Sequence, residues 1–190
     1  RSKLLWFAAC RKVSEGRRFK HMGGTDMKQL VLISFFVWVA LLAPAAAQDY
    51  DAGMRAYRVF NYAGAVREWK PLAEQGNARA QNSLGFLYAV GRGVKKDRKA
   101  AASWYRKAAD QGNASAQSRL GQLYEAGRGV AKSYKEAHKW YRKAADQGFA
   151  RAQYTLARLY WFGRGTKKNY PEAAKWYGKA AEQNYAKAQS

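Results

Sequence analysis

A repeat of fixed length constrains this chain more than any other feature of its sequence. The segment WYRKAADQGNASAQSRLGQLYEAGRGV at 104–130 returns 36 residues later as WYRKAADQGFARAQYTLARLYWFGRGT at 140–166. A third copy starts at 176, and the second half of the unit is already present at 77–94. A period between about 20 and 50 residues is typical of stacked repeats. The sequence therefore predicts a repeat array instead of one irregular core.

Each repeat has the pattern of two antiparallel helices. The first helix carries an apolar stripe with the spacing of one helix face, and its copies lie 36 residues apart. In the middle repeat this stripe is Ala116, Leu120, Leu123 and Tyr124. Gly85 and Gly121 lie beside the stripe, although a glycine inside a helix costs about 1 kcal/mol relative to alanine. We interpret them as points where two helices approach too closely for a side chain.

The helix boundaries are marked by capping residues. Gly-Arg-Gly at 91–93, 127–129 and 163–165 predicts the end of each first helix, because glycine accepts the positive φ of a C-cap. The second helices are predicted to begin at the N-caps Asp97, Ser133 and Asn169, with capping boxes completed by Glu136 and Glu172. The buried stripe of the second helix is predicted to hold Trp104, Tyr105, Ala108, Ala109 and their copies.

The segment 27–47 has the pattern of a secretory signal peptide. Lys28 supplies a positive start, 30–42 is apolar, and Ala45, Ala46 and Ala47 form a small-residue cleavage site. We interpret Met27 as the true start and 1–26 as upstream sequence that is not native to the protein. The alternative is an uncleaved anchor, since 30–47 is close to the length that spans a bilayer.

The part that follows the predicted cleavage is strongly basic. It keeps 27 of the 35 Lys and Arg and 11 of the 13 Asp and Glu, a net charge of about +16 against +22 for the whole chain. Cys10, the only cysteine, precedes the signal. The segment 48–76 aligns with a shortened repeat, and we predict that it forms an atypical helical cap. Repeats follow at about 77–112, 113–148 and 149–184, and another begins before 190.

The pattern A-x-A-Q-x-x-L-G-x-L-Y-x-x-G-x-G-V, followed by W-Y-x-K-A-A-x-Q-G, resembles the Sel1-like repeat, a relative of the tetratricopeptide repeat. The resemblance covers the chain from Asn77 to its end. It implies an all-α fold, an α/α right-handed solenoid of stacked antiparallel helix pairs that acts as an adaptor for other proteins. Some members carry paired cysteines in each repeat, and this chain resembles the cysteine-free kind.

Residues for catalysis or cofactor binding are missing from the pattern. His138 is the only histidine after the predicted signal, and it occupies a position held by Ala102 and Ala174 in the other copies. We interpret it as a partly buried helix residue, so no catalytic residue, metal ligand or cofactor site is predicted. The spacing of Gly-Arg-Gly does not match a phosphate-binding loop.

Two surfaces remain as candidate binding sites. The first, called the basic edge, gathers cations of the loops between the two helices of each repeat. It comprises Arg92, Lys95, Lys96, Arg128, Lys132, Arg164, Lys167 and Lys168. Equivalent loops of stacked repeats should line one side of the array, where they either bind polyanions or only keep the array soluble.

The second surface, called the first-helix face, consists of positions that change between copies and are therefore not required for stacking. It comprises Asn82, Phe86, Arg119, Gln122, Tyr154, Arg158 and Trp161. Solenoids bind partners along a concave face, and the resemblance assigns that face to the first helices. Trp161 and Phe162 beside Arg158 have the composition of a binding hot spot. Packing of Trp161 on a following repeat is the competing explanation.

These features favour an exported, non-enzymatic scaffold in a bacterial periplasm that binds a protein or peptide. A binder of anionic envelope polymers or lipid headgroups is the alternative. Some members of the family carry labels of cell-wall metabolism, but no residue here supports an enzyme or inhibitor of that kind. Export argues against nucleic acid as a partner.

Overall fold

In the computed structural model, residues 50–183 are described, and over this range the chain forms eight α-helices and no β-strand. The helices are α1 (50–58), α2 (Tyr62–Glu74), α3 (Ala78–Val90), α4 (Arg98–Asp110), α5 (Ala114–Ala126), α6 (Tyr134–Asp146), α7 (Ala150–Phe162) and α8 (Tyr170–Glu182). From α2 onwards, each helix packs on the next along the chain, as in a solenoid of helix pairs. The predicted signal peptide and the upstream segment 1–26 lie outside the described residues.

The helices begin and end where the capping residues predict. Gly91, Gly127 and Gly163 follow α3, α5 and α7 in the left-handed conformation, with φ between 66° and 77°. The side chains of Asp97, Ser133 and Asn169 accept hydrogen bonds from backbone N–H groups in the first turns of α4, α6 and α8. The capping boxes predicted from Glu136 and Glu172 are not formed, because the backbone N–H groups of Ser133 and Asn169 donate to the carbonyl oxygens of Tyr124 and Tyr160. The Glu172 carboxylate instead accepts a hydrogen bond from the Trp176 indole at 3.1 Å.

The core is a row of similar clusters, one for each junction between helix pairs. The first-helix leucines Leu84, Leu120 and Leu156 are fully buried, as the stripe predicts. A Cβ atom at Gly85 would lie 2.9 Å from the Tyr105 ring, and one at Gly121 would lie 3.1 Å from the Tyr141 ring. The close approach predicted from these glycines is therefore confirmed. It is an approach of a second-helix tyrosine to the first-helix backbone.

The second glycine of each loop has a role that the helix-end argument did not predict. A Cβ atom at Gly129 would collide with the carbonyl group of Arg98, the first residue of α4. Gly165 packs in the same way on Tyr134, the first residue of α6, and Gly93 packs on Tyr62. Each loop thus rests on the start of a helix in the preceding pair, and only glycine leaves room for that contact.

The tryptophan stripe of the second helices is confirmed for Trp140 and Trp176, which are buried, but Trp104 is only half-buried. Trp140 and Trp176 lie beneath the guanidinium groups of Arg106 and Arg142 from the preceding repeat, at 5.9 and 5.3 Å. The residue that corresponds to these arginines in the repeat before Trp104, 36 positions before Arg106, is Lys70. The prediction that Trp104 is buried like its copies was therefore wrong. The residue at the covering position is a lysine for Trp104 and an arginine for Trp140 and Trp176.

A ladder of buried glutamines joins the repeats. Gln81, Gln117 and Gln153 each donate a hydrogen bond to the backbone carbonyl eight residues earlier in the chain, at 2.9 to 3.2 Å. Each of them also accepts a hydrogen bond from a glutamine thirty residues later, for example from Gln147 to Gln117 at 2.7 Å. The ladder satisfies buried polar groups between neighbouring repeats and so explains the glutamines of the repeat pattern.

Candidate protein-binding surface

The structure brings three residues of the first-helix face together where α3, α4 and α5 meet. We call this place the first junction. Phe86 of α3 lies against Arg119 of α5, whose guanidinium carbon is 5.0 Å from the centre of the phenyl ring. Gln122 lines the same hollow. Asn82 lines a smaller neighbouring hollow that it shares with Phe86 and Arg119.

The first junction combines aromatic side chains with an incompletely paired cation. The Arg119 guanidinium carbon also lies 5.8 Å from the centre of the Tyr105 ring. Burial raises the pKa of the Tyr105 hydroxyl, and the positive charge of Arg119 and its side-chain hydrogen bond to Tyr105 oppose that rise. Among the described residues, Arg119 Nε is buried without a hydrogen-bond partner. The junction therefore has a donor that the rest of the described chain does not satisfy.

The hollow at the first junction has a volume of about 430 Å³ and is open to solvent on one side. Its lining consists of Phe86, Ala89, Val90, Lys96, Arg98, Tyr105, Arg119, Gln122, Leu123 and Arg128. Four of these side chains are cationic, and the list contains no aspartate or glutamate. The hollow thus joins the first-helix face to Lys96 and Arg128 of the basic edge, two surfaces that the sequence treats as separate.

The equivalent place between α5, α6 and α7, called the second junction, is balanced by a carboxylate. The Tyr141 hydroxyl donates a hydrogen bond to Glu125 Oε2 at 3.1 Å. Burial and then the Glu125 carboxylate raise the pKa of Tyr141, whereas the nearby Arg151 and Arg158 oppose the rise. Here the negative charge comes from the chain itself. The sequence pattern did not assign Glu125 this contact, and Glu125 was not among the residues of the first-helix face.

Tyr154 and Trp161 lie towards the last described helix. The rings of Tyr154 and Tyr177 meet edge to face with centres 5.4 Å apart, and those of Trp161 and Tyr170 do so at 5.0 Å. Trp161, Phe162 and Tyr170 remain 47 to 52% exposed among the described residues. They form an apolar patch that is separate from the first junction.

All eight residues of the basic edge are exposed, but two of the three arginines are held on aromatic rings. Arg92 donates a hydrogen bond to the Tyr62 hydroxyl at 3.2 Å, and the guanidinium carbon of Arg164 lies 5.5 Å from the centre of the Tyr134 ring. The position equivalent to these tyrosines is Arg98 in the middle repeat, where it lies beside the loop of Arg128. Arg128 therefore lacks the aromatic platform of its two counterparts.

His138 lies against Tyr160, with ring centres 5.0 Å apart. Burial and the nearby Arg142 lower the pKa of His138, so the imidazole is neutral at neutral pH. Over residues 50–183, no three His, Cys, Asp or Glu side chains are placed to hold a metal ion. Every helix within that range is too short or too polar to span a bilayer.

The stacked helix pairs and their varied first-helix side chains define an α-helical repeat protein of the solenoid class. The sequence model of the Sel1 repeat matches residues 78–113, 114–149 and 150–185. These matches cover more than half of the chain, which therefore belongs to the Sel1 repeat family. The resemblance derived from the sequence pattern is confirmed.

Two solved structures are informative neighbours. A Sel1 repeat protein from Oxalobacter formigenes is 44% identical, with a TM-score of 0.71 over 73% of this chain and 57% of that one. The protective antigen c5321 of uropathogenic Escherichia coli, which has an SLR fold, is 30% identical, with a TM-score of 0.52 over 76% of this chain and 39% of that one. The chain thus spans only part of the length of each neighbour. A comparison with the curated proteins finds no match.

Proposed function

We propose that the chain is a non-enzymatic binding scaffold that recruits a protein or peptide through the first-helix face. The observation that carries this proposal is the first junction, where Phe86, Arg119 and Gln122 meet in an accessible hollow. The surrounding frame is nearly the same in every repeat, whereas these side chains differ from copy to copy. Variation on a constant frame is expected where a solenoid contacts its partner.

The proposal places this scaffold outside the cytoplasm of a bacterium. The pattern of the segment 27–47 supports export to the periplasm, and cleavage after Ala47 would leave Gln48 as the first residue. N-terminal sequencing of the protein from a periplasmic fraction should therefore begin at Gln48. Recovery of the intact 27–47 segment in membranes would favour the uncleaved anchor.

Capture from an envelope extract tests the binding role. The mature chain, immobilised at moderate salt, should retain a protein that mass spectrometry can identify. Phe86→Ala combined with Gln122→Ala should reduce retention, because these side chains line the first junction without forming its fully buried core. Tyr154→Ala combined with Trp161→Ala tests the α7 part of the first-helix face in the same way. Retention that is unchanged in both double variants would contradict recognition by the first-helix face.

A second function is favoured by the exposure of the basic edge. The ion pairs that the described residues form are Arg67–Glu68, Arg142–Asp146 and Lys175–Glu172, so none involves the basic edge. Its charges are thus available to anionic envelope polymers or lipid headgroups. Replacing Arg92, Arg128 and Arg164 by glutamate should weaken retention on an anionic envelope fraction, mainly at low salt, if the edge binds polyanions. Equal retention would show that the edge only promotes solubility.

A further inference from the structure

The first and second junctions differ at the position where the second provides a carboxylate. Glu125 of α5 accepts the hydrogen bond of the Tyr141 hydroxyl at 3.1 Å. The residue 36 positions earlier, on α3, is Ala89, and it lines the hollow of the first junction beside Tyr105. A methyl group cannot accept a hydrogen bond. Both junctions therefore have a tyrosine, but the place that the Glu125 carboxylate occupies in the second junction is open in the first.

Arg119 is a second difference of the first junction, because it adds a positive charge where no carboxylate is present. Arg119 replaces the Ser83 and Thr155 of the other repeats, and its guanidinium lies over Phe86. Its Nε is buried and, among the described residues, has no hydrogen-bond partner. A buried donor without an acceptor is costly, and more so when it belongs to a charged group. An acceptor supplied by another molecule would remove this cost.

The surroundings indicate the charge of that acceptor. Lys96, Arg98 and Arg128 line the same hollow as Arg119, and no carboxylate lines it. The carboxylate of Asp97, next in sequence to Lys96, is occupied in capping α4, where it accepts hydrogen bonds from Lys99 N and Ala100 N. The positive charge of the hollow is therefore not balanced by its own lining, which favours an anion.

We propose that the first junction binds a carboxylate of an acidic peptide segment in a protein partner, at the place that the Glu125 carboxylate takes in the second junction. This proposal rests on the proposed scaffold function and specifies its ligand. Phe86, Val90 and Leu123 give the hollow apolar walls, which suit the side chains beside a carboxylate in a peptide. A polymeric phosphate or a lipid headgroup offers no such apolar neighbours and is better suited to the exposed basic edge.

The test uses the full mature chain and a short fluorescent peptide in which glutamate and leucine alternate. Fluorescence anisotropy at physiological salt should show binding, and the same peptide with glutamine for glutamate should bind about tenfold more weakly, because a neutral amide acceptor replaces a charged one. Ala89→Glu should weaken binding of the acidic peptide by about tenfold or more, because the chain then supplies its own carboxylate.

Arg119→Gln gives a second variant that removes the cation and leaves Ala89 unchanged, and it should weaken binding to a similar extent. Lys70→Gln is the matched control, because it removes one positive charge from α2 outside the lining of the hollow. Circular dichroism checks that each variant folds. Equal binding of the two peptides would overturn the proposal, as would unchanged affinity in both Ala89→Glu and Arg119→Gln.

Anionic vesicles of phosphatidylglycerol serve as a competitor. Displacement of the peptide by these vesicles that persists when Arg92 and Arg164 of the basic edge are replaced by glutamate would overturn the choice of a peptide as the ligand. Failure of the proposed scaffold function is recognised separately, because envelope capture would then not depend on the first-helix face. If envelope capture still depends on the first-helix face while the acidic peptide does not bind, only the carboxylate site is wrong.

Discussion

The first and second junctions are built on the same backbone and differ in how their charges are balanced. In both, a buried tyrosine of the second helix packs against a first-helix glycine, Gly85 in one and Gly121 in the other. The second junction pairs its tyrosine with Glu125, near the cations Arg151 and Arg158. The first junction has Arg119 and an alanine in place of the glutamate.

Under the proposed function, this difference would give one repeat a binding site without any change of fold. The first-helix leucines and glutamines that define the frame recur in each copy and are buried. A change of one side chain from glutamate to alanine leaves that frame intact but removes a negative charge from a cationic hollow. The charge that stabilises the second junction internally can then be supplied to the first junction by a partner.

The largest expected effect compares the tryptophans of the two middle helix pairs. Trp140 is 3% exposed beneath Arg106, so Trp140→Ala should reduce the free energy of unfolding by about 3–5 kcal/mol. Trp104→Ala should cost clearly less, because Trp104 is only half-buried. Thermal and urea unfolding measure both. Equal losses, or a negligible loss for Trp140→Ala, would contradict the packing described for the second helices.

A smaller effect should separate the two tyrosines. Tyr141→Phe removes a hydrogen bond to a carboxylate and should cost about 1.5 kcal/mol of stability. Tyr105→Phe should cost less, because Ala89 offers its hydroxyl no carboxylate and the hydroxyl bonds only to the Arg119 side chain. Urea unfolding of the two variants tests this order. A greater loss for Tyr105→Phe would mean that the first junction is already satisfied by the chain.

Glutamate at position 89 should make the first junction resemble the second. Ala89→Glu is expected to raise the free energy of unfolding by about 1 kcal/mol, since the new carboxylate can accept from Tyr105 and neutralise Arg119. Glu125→Ala should have the opposite sign. Melting curves of the two variants at low and physiological salt provide the check. Destabilisation by Ala89→Glu would indicate that the two junctions are not equivalent.

The smallest expected effect concerns the arginines of the basic edge. Arg128→Ala should change stability by no more than about 0.5 kcal/mol, because Arg128 is exposed and lies beside Arg98. Arg164→Ala should cost slightly more, about 0.5–1 kcal/mol, through loss of its contacts with Tyr134 and Phe162. Differential scanning calorimetry under identical conditions compares them, and the reverse order would contradict the aromatic-platform explanation.

The sequence predicts the frame because the frame depends on local rules. Helix ends follow from glycines and N-cap residues within a few positions, and the close approach at Gly121 follows from a glycine beside an apolar stripe. The glutamine ladder and the cover of Trp140 by Arg106 were not predicted. These contacts join residues about thirty positions apart, and they depend on the rotation between neighbouring repeats, which no local pattern specifies.

The candidate site was predicted only in part for the same reason. Phe86, Arg119 and Gln122 were selected because they vary between copies, but the pattern did not show that they meet at one hollow. It also treated varying positions as unnecessary for stacking. Glu125 varies in this way, yet it joins α5 to α6 through Tyr141. Variation between repeats is thus found at the proposed partner contacts and also at a contact within the chain, between Glu125 and Tyr141.

The most direct test of the account exchanges the two junctions and asks whether the acidic peptide follows the missing carboxylate. Isothermal titration with this peptide is carried out on the parent, on Ala89→Glu, and on Ala89→Glu combined with Glu125→Ala. We predict binding by the parent, little binding by the single variant, and recovery in the double variant, where Arg151 and Arg158 are left without their carboxylate. Equal binding by all three, or no recovery in a folded double variant, would contradict it.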